Sequence, residues 1–405
     1  MPNKAEATEV LELGKWFRKD PECAIRKCLS TLEAILRKRI SRCKKRFDLK
    51  IVIIGGGIAG LTAAIALKNN KNEIVVKEKK SASRNSGMAF MIHKSTLRNI
   101  NSLTNKELDV TNNKINDLVL KHGLRTDHIE INGWYAIKRV NLINFLQNQL
   151  TTDEYHENCD FSHFQYKERK AIAAVFKDGS IEYGDLFIGA DGINSQVRNF
   201  VSEAHFFPNE INEIVGIAKY EGENIHDNTF RKHVSTKKGM SFGFIPISNN
   251  EHVWFLQFNS SLYGEVFEKS RKIEKAFSPQ LLSEFPEEIK NIIENSDLKK
   301  SYLWRSKELK LLDSYYKANV CLIGDAAHGS IPLTSSGVSS GVSSAIELAE
   351  ILNASEQLEA AFSTYEEKRK KKNSQTIEYA KQLKLQFNNP PDYLDDQHLP
   401  LFHHD

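Results

Sequence analysis

The chain has 405 residues, 40% of them hydrophobic, with 56 Lys and Arg against 52 Asp and Glu for a formal charge of +4. That length holds two or three domains and a sizeable core, which excludes a mini-scaffold and a disordered tail. Residues 1–48 carry 13 basic and 7 acidic side chains, so the remainder is close to neutral and no nucleic-acid partner is expected for it.

Five cysteines (Cys23, Cys28, Cys43, Cys159 and Cys321) are an odd number without a C-x-x-C pair, which fits neither a disulfide framework nor a zinc site and points to a reducing, cytoplasmic location. Glu6, Glu9 and Glu12 interrupt what a signal peptide would need as an apolar core. Within residues 21–47 the positions Ile25, Leu29, Leu32, Leu36, Ile40, Cys43 and Phe47 recur every three or four residues among arginines and lysines. They predict a basic amphipathic helix that packs on the body or, less expectedly, anchors to a membrane or protein partner.

Ile51-Val52-Ile53-Ile54 is an unbroken apolar run, as expected of a parallel strand buried on both faces. A glycine loop, an alanine-rich helix Leu61 to Leu67 and a second strand Glu73 to Val76 complete a β-α-β unit. The 17 uncharged residues Ile51 to Leu67 are too short and too broken by glycine for a membrane span. Arg98 to Leu150 reads as largely helical. Ala171 to Phe176, Ser180 to Tyr183, Leu186 to Ile188, Phe242 to Ile247 and His252 to Phe258 read as short strands that a mixed sheet in a second domain would hold. Val320 to Ile323 returns to the buried-strand pattern, ahead of a helix from Gly337 to Leu352. A last helix spans Tyr365 to Leu383, whose Glu366 to Lys372 charge run predicts a solvated face. The tail beyond Asn388 is Pro-rich and acidic.

Gly55-Gly56-Gly57-Ile58-Ala59-Gly60 is a G-x-G-x-x-G between a buried strand and a helix. Gly55 permits the turn, Gly57 lets a pyrophosphate approach the backbone, Gly60 lets helix touch strand, and the helix N-terminus offers N–H groups. Glu78 closes the second strand, where a carboxylate can accept from a ribose. Two further segments stand at strand ends. They are Gly189-Ala190-Asp191-Gly192 with Arg198 downstream, and Gly324-Asp325-Ala326-Ala327-His328 with Pro332, Ser336-Gly337-Val338 following.

In this order the three segments resemble the fingerprints of the class A FAD-dependent monooxygenases, the aromatic-hydroxylase family that includes para-hydroxybenzoate hydroxylase-like enzymes. The resemblance covers about residues 50–380 and extends to Lys138-Arg139 with Leu142, and to Gly243-Phe244-Ile245-Pro246-Ile247 with Trp254-Phe255. It implies an α/β fold, a Rossmann-type FAD-binding domain of the glutathione-reductase-like kind with an inserted mixed β-sheet substrate domain.

On that resemblance 1–48 is the helical extension, and 49–110, 111–200 and 301–352 are parts of the FAD-binding domain. The substrate sheet is 201–300, the last helix 353–388 and a flexible tail 389–405. FAD is the expected cofactor and NADH or NADPH the co-substrate. The cofactor residues it implies are Gly55, Gly57, Ile58, Ala59, Gly60, Glu78, Arg139, Asp191, Asp325, Gly337 and Val338, with Gly337 and Pro332 supporting the flavin. A helix starting beneath the flavin at Gly337 would stabilise negative charge on the reduced ring.

Tyr220 and Phe244 are the expected pocket walls. No metal site is expected, and His328 is expected to be a packed histidine rather than a base. The expected reaction is hydroxylation or epoxidation of an apolar or aromatic small molecule with O2, through a flavin C4a-hydroperoxide. Ser335-Ser336 departs from the family's usual residues and resembles flavin-dependent halogenases, but no W-x-W-x-I-P segment is present. A halogenase, an alkene reductase, and a non-catalytic flavoprotein recruited by its N-terminal helix are the alternatives.

Overall fold

The computed structural model describes residues 49–68, 72–81, 88–110, 113–208, 210–219, 228–236, 238–248, 250–268, 273–277, 285–390 and 399–401. The amphipathic stretch 21–47 and Tyr220 lie outside them.

A six-stranded sheet forms around Lys50–Ile54, which pairs in parallel with Glu73–Lys77 on one side and with Leu186–Gly189 on the other. Leu186–Gly189 pairs in turn with Val320–Leu322, again in parallel. The middle of each of these strands is apolar, because both faces of the sheet are covered, and charged side chains stand only at strand ends such as Lys50, Glu73 and Lys77. The helices Ile58–Lys68 and Gly337–Ala354 pack on each other beside this sheet, and Leu358–Asn388 packs on the second of them.

The second large sheet has eight strands, in the order Tyr302–Trp304, Ile211–Lys219, Glu251–Asn259, Met240–Ser248, Thr229–Val234, Lys114–His122, Arg125–Lys138, Ala89–His93. All neighbours are antiparallel except Thr229–Val234 with Lys114–His122. This corrects the helical expectation for 98–150. Lys94–Ser102 and Arg139–Gln147 are helices, but 114–138 is a hairpin turning at Gly123, whose φ is +58°. The alternation His128, Ile129, Glu130, Ile131, Asn132 is a period of two, and it prevailed over the helix-compatible composition around it.

Two other strand expectations also change place. Leu186–Gly189 belongs to the six-stranded sheet, and Lys170–Phe176 with Ile181–Tyr183 forms a small three-stranded sheet with Phe161–Lys167.

The eight-stranded sheet sorts its side chains by the two-residue period. One face presents Ile214, Phe242, Phe244, Trp254, Leu256 and Phe258 to the short helices between residues 260 and 294, where Ile289, Ile292 and Ile293 close the layer. The other presents Val215, Phe230, Ile245, Val253 and Phe255, with Trp134 and Ile131 from the hairpin, and Leu399 and Leu401 of the C-terminal segment pack on it. Tyr379 anchors that segment, its hydroxyl donating to the Leu399 carbonyl at 2.6 Å.

Candidate cofactor and substrate site

The strand Lys50–Ile54 ends in Gly55, held at φ +113° with the Ala190 carbonyl so close that a Cβ would collide with it. A Cβ on Gly60 would run into the Gly55 carbonyl, so helix and strand touch only because both positions are glycine. Ile58 is buried in the helical core, and Ala59 packs beneath Gly324, joining the first and third sequence segments. Gly57 differs from these: no atom lies within 4 Å of where its Cβ would be.

Glu78 curls back to this loop, its carboxylate accepting the Gly56 N–H at 2.6 Å and the Lys80 N–H at 2.9 Å. Tyr155, from the edge strand, lies against Gly56, and burial, reinforced by the Glu78 charge, pushes its phenol well above the ordinary range. Sequence reasoning missed Tyr155, because a two-residue strand leaves no periodicity to read.

The second segment turns on Asp191. Its carboxylate accepts from the Ser195 hydroxyl and from the Gln196 and Val197 N–H groups at 2.7 and 3.2 Å, so both oxygens are spent on holding their own loop. Arg198 is buried and ties this loop to the third segment, donating to the Ile193 carbonyl at 2.6 Å and the Ala326 carbonyl at 3.0 Å.

Asp325 stands at the start of the turn after Val320–Leu322, its side chain open to the groove yet ringed by protein atoms. That enclosure pushes its carboxyl up, while the charges of Arg139 and Arg198 pull it down. Arg139 begins the helix Arg139–Gln147 with its N–H bonded to the Met88 carbonyl, and its guanidinium makes no hydrogen bond among the described residues.

Pro332–Thr334 forms one turn of 3-10 helix, followed by Ser335 at φ +51°, and the Ser336 and Thr334 hydroxyls meet at 2.8 Å. The helix Gly337–Ala354 then starts. Gly337 is exposed with no atom within 4 Å of its Cβ position, so the unpaired N–H groups of the first turn face open space. Val338 turns inward onto the helical core.

His328 is held by Ser340 Oγ at 3.2 Å from Nδ1 and by Arg369 at 3.5 Å from Nε2, a packed and hydrogen-bonded histidine. Arg369 itself is 0% exposed. This corrects the solvated reading of the 366–372 run at one position. Every fourth residue of a long helix faces inward, and Arg369 meets Ser340, Ser343 and Glu347 there.

The expectation for Phe244 is also overturned. It lies on the face sealed by helices, 0% exposed among Phe242, Trp254 and Ile289, because its register pairs it with Trp254. The face turned toward Arg139 instead carries a polar row that sequence reasoning passed over, Glu213, Lys232, Ser241 and Gln257.

Space and donors decide whether this groove suits FAD. Gly57 and Gly337 each leave a gap that a side chain would fill, one at a helix N-terminus beside the glycine loop and one at a second helix N-terminus. Arg139 and the open Asp325 carboxyl add polar groups to the same groove. The residues therefore fit a dinucleotide, with two helix starts offering free N–H groups to its negatively charged parts.

The comparisons agree. Residues 48–380 match the FAD binding domain family. "Monooxygenase 2" of Arabidopsis thaliana is 25% identical over 336 residues, covering 75% of this chain and 76% of that protein. "Hispidin-3-hydroxylase" of Neonothopanus nambi is 22% identical, covering 80% and 85%. The fold is shared with 2,6-dihydroxypyridine-3-hydroxylase from Arthrobacter nicotinovorans, at TM-score 0.75, 16% identity and coverage of 89% and 98%. It is shared also with Klebsiella pneumoniae HpxO complexed with FAD and uric acid, at TM-score 0.70, 16% identity and coverage of 84% and 90%. The chain belongs to the FAD binding domain family and is an FAD-dependent monooxygenase of it.

Proposed function

We propose that the protein hydroxylates an aromatic small molecule, using NADH or NADPH and O2. The observation that carries this reading is the pair of open glycine positions, Gly57 and Gly337, at two helix N-termini of one groove.

In this reading Glu78, set beside the glycine loop, takes the adenosine ribose, and the Gly57 backbone meets the pyrophosphate. Asp191 and Arg198 hold the second loop in shape, and Asp325 takes the ribityl side. Arg139 lies along the cofactor. FAD, reduced by the nicotinamide, supplies activation of O2 and transfer of one oxygen atom. The chain's own task is to orient and exclude: the first-turn N–H groups of Gly337–Ala354 stabilise negative charge on the ring edge. Pro332 and the Thr334–Ser336 hydroxyl pair keep that turn rigid, and the apolar face with Val215, Val253 and Phe255 keeps water from the reacting centre.

The test is direct. Purified protein should be yellow or take up FAD, and an aromatic panel should stimulate O2-dependent NAD(P)H oxidation. A colourless protein that takes up no FAD overturns the reading, and halide incorporation or O2-independent turnover would return the halogenase or alkene reductase.

The apolar spacing of residues 21–47 supports a membrane or partner contact through that stretch, checked by loss of binding to anionic vesicles on deletion of 1–48. Among the described residues no helix is long and apolar enough to cross a membrane, and Cys159 and Cys321 are free and buried, which supports a reducing location.

A further inference from the structure

Four polar residues lie in a band across four adjacent strands of the eight-stranded sheet. Glu213 stands opposite Gln257, Gln257 opposite Ser241, and Lys232 opposite Gly243, one step along. Their neighbours two residues away, Val215, Phe255 and Phe230, belong to the face away from the sealing helices, so the band shares that face. Glu213 and Lys232 are only 6% and 7% exposed.

The band is joined through one amide. Lys232 Nζ donates to Gln257 Oε1 at 3.1 Å, the Ser241 hydroxyl donates to the same oxygen at 3.2 Å, and Gln257 Nε2 donates to Glu213 Oε2 at 2.8 Å. Lys232 and Glu213 form no ion pair with each other, and each has one hydrogen bond among the described residues. An ammonium can donate three bonds and a carboxylate accept about four. A buried pair this poorly satisfied is worse for folding than an apolar core, so stability does not account for it. The unused capacity is what a ligand would fill.

The band also points toward the cofactor groove. Tyr302 stands opposite Val215 on the same face; burial raises its phenol, Glu213 raises it further and Arg139 lowers it. Arg139 in turn acts on Asp325. Ile211, two residues before Glu213 and on the same face of its strand, packs with Ile331 and Leu333 on either side of Pro332, so the band ends beside the cofactor turn.

We propose that Lys232 and Glu213 are the substrate-selecting pair. They take an aromatic ring that bears an acidic oxygen, received by the free N–H groups of Lys232, and a hydrogen-bond donor, hydroxyl or amino, received by the Glu213 carboxylate. Gln257 is the positioning residue between them. The inference rests on the monooxygenase reading and adds a substrate class to it. Burial pushes Glu213 up to about 7 and Lys232 down to about 8, so a ligand oxyanion would hold the lysine charged.

The experiment titrates FAD-loaded protein with matched probes, 4-hydroxybenzoate against 4-hydroxybenzamide, 2-aminobenzoate against 2-aminobenzamide, and phenol against anisole. Flavin absorbance, stimulated NAD(P)H oxidation and thermal shift are the readouts. The acids should bind roughly tenfold to a hundredfold tighter than the neutral partners, the range expected of a hydrogen bond to a charged group. The carboxylate and phenol pairs show which oxyanion is taken.

Lys232→Met should abolish the preference, and Glu213→Gln should weaken probes through their donor group. FAD uptake reports that each variant folds, and if Lys232→Met does not, the neutral double variant with Glu213→Gln replaces it. Wild type that takes none of the acids, or a Lys232→Met variant that still prefers them, overturns the inference. Absence of FAD uptake overturns the monooxygenase reading instead, and thermal shift of the flavin-free protein by the acids still decides this one.

Discussion

The two faces of the eight-stranded sheet are built from the same strands and differ in everything else. The face toward the helices of residues 260–294 is largely a wall of aromatic rings, with Trp254 stacked on Phe242 at 5.7 Å and edge-on to Phe277, and with the Trp254 indole N–H given to Ser296 at 2.7 Å. The face toward Arg139 interleaves apolar residues with a buried acid, a buried lysine and an amide. A strand's alternation places its two sets of side chains but does not say which set meets a ligand. The distinction lies in what closes each face: helices cover the first, where Glu288 meets Arg231 and His233, and on the second the buried acid and the buried lysine each have a single hydrogen bond among the described residues.

The largest effect should come from breaking the sealed face. Trp254→Ala should destabilise the protein by about 3–5 kcal/mol in denaturant unfolding, through loss of ring contacts on both sides of the layer; a cost under about 1 kcal/mol would mean the face is not the sheet's main support.

On the open face the same kind of change should act in the opposite direction. Replacing Glu213 by Gln together with Lys232 by Met should raise stability by about 1–4 kcal/mol at pH 7–8. Burial raises the Glu213 value to about 7 from the usual carboxylate range, so wild-type stability falls as pH rises from about 4.5 to 7. Burial lowers that of Lys232 to about 8, so stability recovers as pH rises from about 8 toward 10.5. The gain from the double variant should therefore be widest between those limits and shrink on either side. Tyr302, whose phenol the Glu213 charge reaches, stays in place in both proteins, and a gain independent of pH would break the account.

Smaller and more local is Gly337→Val. With no atom within 4 Å of the added carbon, the flavin-free protein should keep its melting temperature, while FAD affinity falls about tenfold or more, equivalent to about 1.4 kcal/mol. The smallest effect is expected from Tyr379→Phe, which removes the hydroxyl holding the Leu399 carbonyl and should cost about 0.5–1.5 kcal/mol, seen as faster proteolysis of the C-terminal segment.

Much of the cofactor half was readable in the sequence because its signals are local. A buried strand, a glycine loop and a helix follow one another within 20 residues, and the turns at Asp191 and Asp325 occupy strand ends as expected. What escaped depends on pairing at long range. Phe244 and Lys232 sit on neighbouring strands with side chains on opposite faces, and only the register, Arg231 with Phe244 and Lys232 with Gly243, says which face is which. Arg369 escaped for a related reason: a run of like charges hides the one position that a helix turns inward.

The parallel pairing of Thr229–Val234 with Lys114–His122 joins segments about a hundred residues apart, and between them the chain leaves to lay down Leu186–Gly189 in the other sheet. Neither sheet can be finished before the other is begun. Closing so distant a pairing is entropically late and slow, so the nascent chain would expose its aromatic strands until the last of these contacts forms. Supplying FAD during synthesis, by stabilising the half that closes the loop, should raise the yield of soluble protein more than supplying it afterwards.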